Sequence, residues 1–494
     1  MAVRRAKSPP GSRRNPRPGT RRDADPSSPA RSSNGRRHSE AGKPLELRCD
    51  RWIEVGCPSR RTAEVGIQFG LPLFDRQATI VESASVRVGP GRIVAIVGPS
   101  GSGKSSALAQ IERQSDGGCM VQRVTFPADA AIIDRVAPWA ELPHALGLLT
   151  ACGLGDANLW VRRFATLSDG EKFRARLARG VAQHSRGPSA GPLMCDEFCS
   201  SLHRRVARAI SFGLRKLVKR HRLAVVLACS QEDILADLQP HAVVRLLGHG
   251  KCEVQERKSH GGRAFSLRRR LKIEPGRKAD YEAFAAMHYR ATDELGFVDK
   301  VFVLREGAGG ELVGIVVYSH APLELRLRNR ATNSWFSRNP GRVNRSLRIL
   351  RRLIIHPDVR GCGLGHYLVR ETLPEVGTKF VECLASMGEF NPVFERAGME
   401  RIGQYEIPAK RRRVLNELDA MGVDPNGRDF PMLVTRRRSV RDIVSRVVFD
   451  WYSGTTGGGA GRVERQSPHL LAQTFRGLIA SRPVYYLWQR ENSE

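Results

Sequence analysis

Apolar positions along the chain fall into several patterns, and each predicts a different element. Up to about residue 44 almost no large apolar side chain occurs among Arg, Pro, Ser and Gly, so residues 1–44 are expected to form a disordered basic arm. From LELRCDRWIEV at Leu45 onward β-rich stretches appear. RIVAIV (92–97), AVVLAC (224–229) and AVVRLLG (242–248) are short apolar runs that read as buried strands. A basic, glycine-containing stretch, ERKSHGGRAFSLRRRLK, marks a linker. Beyond it DYEAFAAMHYR has helical periodicity, VFVLRE, ELVGIVVYSHAP and LRILRRLIIHP read as strands, and GLGHYLVRETL as a helix. KFVECLASM is the next strand. After KRRRV at Lys410 come helical pieces, VLNELDAM and VRDIVSRVVFDWY, then a GTTGGGAG loop and a closing LAQTFRGLIASRPVYYLW.

The expected organisation is a multidomain α/β and α+β chain. Its parts are an arm (1–44), a first domain (45–256), a linker (257–275), a second domain (276–408) and a mostly helical extension (409–494). The formal charge of +31 favours a polyanionic partner such as nucleic acid or a ribonucleoprotein, or else an anionic membrane surface. Ten cysteines without a CxxC pair indicate neither a zinc site nor a disulfide framework, and fit a reducing cytoplasm. No apolar stretch approaches the roughly 20 residues needed to span a bilayer. No apolar segment follows the N-terminal Arg pairs, so neither an ordinary nor a twin-Arg secretion signal is expected.

The candidate chemistry begins where the first buried strand ends. Gly98, Pro99, Ser100, Gly101, Ser102, Gly103, Lys104 and Ser105, followed by Ser106, fit GxxxxGK[ST] between a strand and a helix. Glycines let main-chain N–H groups turn toward phosphate oxygens, Lys104 reaches the terminal phosphates, and Ser105 can ligate Mg2+. PLMCDEF delivers Asp196 and Glu197 at the end of another apolar strand. Asp196 suits a Mg2+-orienting carboxylate and Glu197 a group that polarises attacking water.

Between these lies LSDGEKFRARLARG, in which Leu167, Ser168, Asp169, Gly170 and Glu171 resemble the LSGGQ signature of ABC-type ATPases, with Arg174 and Arg176 on the helix that follows. The three motifs occur in that family's order. The resemblance implies an ATP-binding domain that hydrolyses ATP with Mg2+, and an ATP-dependent homodimer in which the signature of one protomer meets the γ-phosphate held by the other. Two positions depart from the family. His203 stands where Asp is usual in the loop Ser200, Ser201, Leu202, His203, and Ser230 holds the place of the switch histidine, which implies slow turnover. Phe74 is the candidate for stacking on adenine; no Q-loop glutamine is identified. The short interval from Lys104 to Leu167 points away from a transporter-type ATPase.

A second cradle follows LRILRRLIIHP. Arg360, Gly361, Cys362, Gly363, Leu364 and Gly365 match the [RQ]xxGxG loop of GNAT acyltransferases, between a strand ending near Ile355 and a helix that includes His366. Successive N–H groups at that helix's start would face the pyrophosphate of coenzyme A. NPVFERAGM resembles the family's closing helix pattern. The resemblance implies binding of acetyl-CoA or another acyl-CoA and acyl transfer to an amine. Phe394 occupies the position of the family's proton-donating Tyr; Glu389 and His356 are conceivable bases, and Tyr367 is expected to pack against the sheet. The chain as a whole resembles ABC-type ATPases fused to a predicted acetyltransferase domain. The alternative is an ATP-driven clamp whose second domain binds acyl-CoA without catalysis.

Overall fold

The computed structural model describes residues 42–187, 191–257, 262–285, 287, 295–307, 309–456, 459–480 and 482–491. Of the expected basic arm, residues 1–41 lie outside these; Lys43 and Pro44 already belong to the first strand. β1 (Lys43–Ile53) and β2 (Arg76–Val88) pair as an antiparallel ribbon. Between them lies α1 (Arg60–Phe69), which Ser59 caps at its start and Gly70 ends in a left-handed conformation.

Six strands then build the first sheet: β3 (Ile93–Val97), β4 (Cys119–Met120), β5 (Leu193–Cys195), β6 (Val225–Cys229), β7 (Ala242–Gly248) and β8 (Lys251–Glu256), in the order β4-β5-β6-β3-β7-β8. All neighbours are parallel except β7 and β8. The apolar runs are explained by burial on both faces: every residue of β3 and β6 is buried. On one face Val94, Ile96 and Val226 pack with the ribbon and with α2 (Lys104–Gln114). On the other, Ile93, Ala95 and Leu227 pack with α3 (Asp169–His184) and α4 (Arg204–His221).

The second sheet has seven strands: β9 (Leu271–Pro275), β10 (Val298–Glu306), β11 (Leu312–His320), β12 (Leu347–Ile355), β13 (Phe380–Ala385), β14 (Glu400–Gln404) and β15 (Val484–Gln489). Their order is β14-β15-β13-β12-β11-β10-β9, and the one parallel pair is β12 with β13. That ladder covers only Leu347–Leu350 against Phe380–Cys383, whereas β12 continues to Ile355 paired with β11 alone. A wedge therefore opens between β12 and β13 on the side where β12 ends, and α5 (Leu364–Thr372) crosses over to β13.

Sequence-based readings meet this arrangement unevenly at several places. The segment read as linker 257–275 contains β9, whose partner β10 fixes it in the sheet; residues 258–261 lie outside the description. The segment read as a helical extension ends in β15, which inserts between β13 and β14. The intervening α6 (Ala409–Ala420), α7 (Phe430–Arg436), α8 (Arg438–Thr456), α9 (Gly459–Glu464) and α10 (Pro468–Ala480) are thus an insertion within the sheet's sequence. They share a core of Leu418, Phe430, Val434, Val444 and Phe475. Within the GTTGGGAG stretch α8 runs through Thr456 and α9 starts at Gly459, so its described residues are helical rather than a loop; residues 457 and 458 lie outside the description. Of the helix expected over DYEAFAAMHYR, a 3-10 turn (Lys278–Tyr281) continuing into a helical turn (Glu282–Ala285) is described, and residues 286 and 288–290 lie outside the description.

The two sheets meet through α4, whose Ala209 and Phe212 join the second sheet's core with Phe265, Val359, Cys362 and Leu364. Among the described residues no helix is long and apolar enough to cross a membrane, and no cluster of His, Cys, Asp or Glu could hold a metal ion by itself.

Candidate functional site

Strand register brings the first set of residues together. Val97 pairs with Cys229 and Cys195 with Leu227, so Gly98, Asp196 and Ser230 leave three neighbouring parallel strands at the same edge. The Gly98–Ser105 loop has room only for glycine at its tightest points. A Cβ on Gly103 would lie 2.2 Å from Ile80 Cγ2, and one on Gly98 2.8 Å from the Leu246 carbonyl oxygen. Gly101 and Gly103 have φ of 80° and 91°, a region that disfavours side chains. Gly103 is the N-cap of α2 and gives it no side-chain hydrogen bond, so the first-turn N–H groups have no side-chain cap. Lys104 is buried and donates to the Gly98 and Pro99 carbonyls at 2.9 and 2.7 Å. Ser102 Oγ is buried without a hydrogen-bond partner. An unpartnered hydroxyl, a folded-in lysine and uncapped amides are what a polyphosphate would satisfy.

Asp196 Oδ1 accepts the Glu197 N–H at 2.9 Å, and Glu197 is exposed with φ of 47°. Gln122 was not recognisable as a site residue from its own surroundings in the sequence. It follows the two-residue strand β4, and its Nε2 donates to the Asp196 carbonyl at 2.6 Å. The available signal was its place after an apolar pair one strand away from β5. Ser105 and Ser106 lie in the first turn of α2, Ser105 being exposed. Phe74 is exposed at the entry to β2.

The signature stretch caps a helix. Ser168 accepts from Glu171 N–H, and Glu171 accepts the Ser168 N–H at 2.9 Å, a reciprocal capping box on α3. Ser168 and Asp169 are exposed at this positive helix end, and Leu167 is buried beneath it. Gly170 approaches Leu202, so the signature packs directly on the loop after β5. Arg174 turns inward to the Gly170 and Gly153 carbonyls, and Arg176 lies 5.5 Å from the centre of the Phe164 ring.

The second loop is built like the first. Gly361 and Gly363 have φ of 82° and 85°, and Gly363 is an N-cap for α5 that offers no side-chain hydrogen bond. A Cβ on Gly365 would come 3.1 Å from Val393. Ile355, Leu364 and Cys362 are buried. Around the helix start stand His366, Arg268, Arg370, Arg396 and Lys216; burial first, then those four cations, hold the His366 imidazole below its usual pKa.

Two side chains of the loop face inward to the protein. The Arg360 guanidinium donates to the carbonyls of Ile355, Gly155 and Met287, at 2.8, 2.7 and 2.8 Å. Cys362 Sγ points at the Ala209 carbonyl of α4, and burial pushes its thiol pKa well up. Arg360 and Cys362, expected among coenzyme-binding residues, therefore tie the loop to the first sheet's helices through their side chains.

Phe394 is buried and packs at a tilt of 43° against Tyr486, at 5.3 Å between ring centres. The Tyr486 hydroxyl donates to Glu395 Oε1 at 2.8 Å. Glu389 lies on the surface, bonded by Gln404. His356 caps the turn 357–359 by accepting the Asp358 N–H, and burial, partly offset by Asp358, lowers its pKa. It is a turn-shaping residue. Tyr367 lies partly buried in the second sheet's core beneath Arg268, as expected of packing.

Among curated proteins the chain is 30% identical to the aliphatic sulfonates import ATP-binding protein SsuB 2 of Rhizobium johnstonii over 226 residues, which cover 41% of this chain and 89% of that protein. It is 31% identical to SsuB 2 of Nocardia farcinica over 198 residues, 36% of this chain and 77% of that one. It is 28% identical to the phosphonates import ATP-binding protein PhnC of Burkholderia pseudomallei over 214 residues, 34% and 68% respectively. No family model matches. The first of these relatives is matched along most of its length, and the residues gathered at the edge of the six-stranded sheet carry that family's motifs. The chain belongs to the ATP-binding cassette (ABC) family of ATPases.

Proposed function

We propose that the chain is an ABC-type ATPase joined to a GNAT-like acyltransferase, which moves an acyl group from acetyl-CoA or another acyl-CoA to an acceptor amine. The observation that carries this is the likeness of the two loops. Each leaves the end of a strand, each turns on glycines at positive φ, and each opens a helix whose N-cap, Gly103 or Gly363, contributes no side chain. Such helix starts favour anions through free N–H groups and the helix dipole.

In the first loop Gly98 to Ser106 would hold ATP, with Ser105 and Asp196 on Mg2+, Glu197 polarising water and Gln122 following the metal carboxylate. Bound Mg2+ would supply charge neutralisation on the phosphates. Leu167 to Glu171 would complete the site from a second copy, and Ser168 is exposed at a helix start as that requires. In the second loop Ile355, Arg360 to Gly365 and His366 would hold the pyrophosphate of the acyl-CoA. Support comes from the wedge between β12 and β13 beside it, and from the cations around His366.

The test is calorimetry on the full chain. Lys104→Ala is expected to abolish ATP binding and leave acetyl-CoA binding intact. Gly363→Val is expected to do the reverse, because a branched side chain at φ of 85° both strains the turn and fills the cradle. Loss of both ligands in either variant, or no acetyl-CoA binding by the unmodified chain, refutes the two-site reading.

One observation favours a second reading. Phe394 has no hydroxyl, and the Tyr486 hydroxyl beside it is buried and engaged by Glu395. A clamp that binds acyl-CoA without transferring its acyl group fits that arrangement. Transfer of label from acetyl-CoA to a cellular fraction supports the enzyme, and tight binding without transfer supports the clamp. The proposed partner is nucleic acid or a ribonucleoprotein, for which the net charge and the exposed Lys410, Arg412, Arg413 and Arg436–Arg438 are suited; an affinity for RNA that ignores salt would exclude it.

A further inference from the structure

One helix packs on the second loop and is fastened to the segments beside the first. α4 begins directly after the loop Ser200–His203 that follows Asp196 and Glu197, and His203 is its N-cap. In its first two turns Arg204 and Arg208 both bind Asp233, which lies in the loop after β6 just past Ser230. Burial alone would raise the Asp233 pKa, but hydrogen bonds and charge from Arg204, then Arg208, outweigh it and hold the carboxyl low. The two segments that leave β5 and β6 beside the phosphate loop are thus fastened to the start of α4.

The neighbouring stripe of the same helix belongs to the other sheet. Arg205, Ala209, Phe212 and Lys216 are spaced by four, three and four residues and so lie along one line. Arg205, nearly buried, pairs with Glu306 at 3.3 Å and with Glu311, at the β10–β11 turn. Ala209 accepts from Cys362 Sγ, Phe212 packs against Phe265, and Lys216 Nζ donates to the Gly361 carbonyl at 3.4 Å. The side wall of the second loop is therefore α4 itself. On its far side Gly155 and Thr150, from the first sheet's helical layer, close against Arg360 and Gly361.

We infer that α4 couples the two loops, so that nucleotide bound at Lys104 changes the affinity of the Gly361–Gly365 loop for acyl-CoA, and acyl-CoA changes the affinity for nucleotide. This rests on the reading of those two loops as an ATP site and an acyl-CoA site. An eighteen-residue helix moves as a rigid unit about 27 Å long. Any shift that a γ-phosphate imposes on the segment from Asp196 to His203, or on the Asp233 loop, is carried to Cys362 and Gly361. Linkage requires the two effects to be equal, since both are one coupling free energy.

The test uses the full chain. Acetyl-CoA is titrated calorimetrically without nucleotide and with saturating Mg2+ and a non-hydrolysable ATP analogue, and the analogue is titrated with and without acetyl-CoA. The expected result is a change in Kd of roughly fivefold or more, equal in both directions within error. A double variant, Glu306→Gln with Glu311→Gln, removes the acidic partners of Arg205 and touches neither loop. It is expected to keep each ligand's separate Kd within about twofold while bringing the coupling factor toward one. Acetyl-CoA that binds equally tightly in both states overturns the inference and leaves the two-site reading standing. Acetyl-CoA that binds in neither state overturns the acyl-CoA reading and the inference with it.

Discussion

Beneath the second sheet Arg328 and Glu382 form an ion pair with no exposed side-chain surface, 3.2 Å apart, and Tyr485 donates to the other carboxylate oxygen at 2.8 Å. Burial pushes the Glu382 pKa up to about 7 against the opposing pull of Arg328 and the Tyr485 hydroxyl. Arg328 also donates to the Pro322 and Leu323 carbonyls, so it fastens that turn to β13. Removing one partner strands the other: Arg328→Met should cost about 3–5 kcal/mol in urea unfolding, and adding Glu382→Leu should recover part of it. His241 offers a pH test. Its Nδ1 accepts the Ile93 N–H at 3.1 Å, which requires a neutral ring, and burial followed by the charge of Arg92 lowers its pKa. A lowered histidine pKa means the unfolded chain binds the extra proton first. The stability this residue contributes is present above the unfolded pKa, about 6.5, and is lost as pH falls below it toward the folded pKa. The difference in unfolding free energy between the unmodified chain and His241→Asn should therefore shrink from pH 7.5 to pH 5.5; a constant difference would mean that the ring does not titrate.

Elements show where the sequence was legible. Strands β3, β6 and β7 and the loop at Gly98 were readable because a doubly buried parallel strand leaves an unbroken apolar run, and a phosphate loop leaves glycines at fixed offsets. The strand, glycine turn and helix around Gly361 and Gly363 were readable from the same spacing of glycines. The signature helix α3 announced itself by its capping box. β15 was not readable, because VYYLW follows a helix and its partners lie far back in the chain, β13 about a hundred residues earlier and β14 about eighty. Pairing across such a distance leaves no local trace. Gln122 was missed because β4 is only two residues long. The inward turn of Arg360 and Cys362 was missed because it depends on distant parts of the chain, Gly155 for the one and Ala209 of α4 for the other. Gly213 makes the same point within α4. Gly to Ala inside a helix ordinarily gains about 1 kcal/mol, but a Cβ here would lie 1.9 Å from the Ala151 carbonyl oxygen. Gly213→Ala should therefore lower stability, by about 1–3 kcal/mol as overpacking does, and thermal unfolding checks the sign.

At the scale of the whole molecule, the ATP site proposed above would have one half on the phosphate loop of one copy and the other half on the exposed helix start of a second. Ser168 and Asp169 lie on the surface at the tip of α3, where the free end of the helix dipole points outward. The arrangement suits a second copy, whose bound γ-phosphate would meet these amides. Asp169 adds an exposed negative side chain at that point, which would oppose an incoming phosphate. Glu197→Gln keeps the shape of the residue and removes the carboxylate that would polarise water, so ATP should remain bound in this variant. At saturating Mg2+ and ATP its mass by light scattering should rise from 54.8 kDa to about twice that, and fall back with ADP. Adding Ser168→Arg should block the rise while leaving ATP binding in place, because a long side chain cannot fit between the helix end and the partner's phosphate. A Glu197→Gln chain that stays monomeric at saturating ATP would show that the nucleotide site is complete within one copy, and the shared site would have to be abandoned.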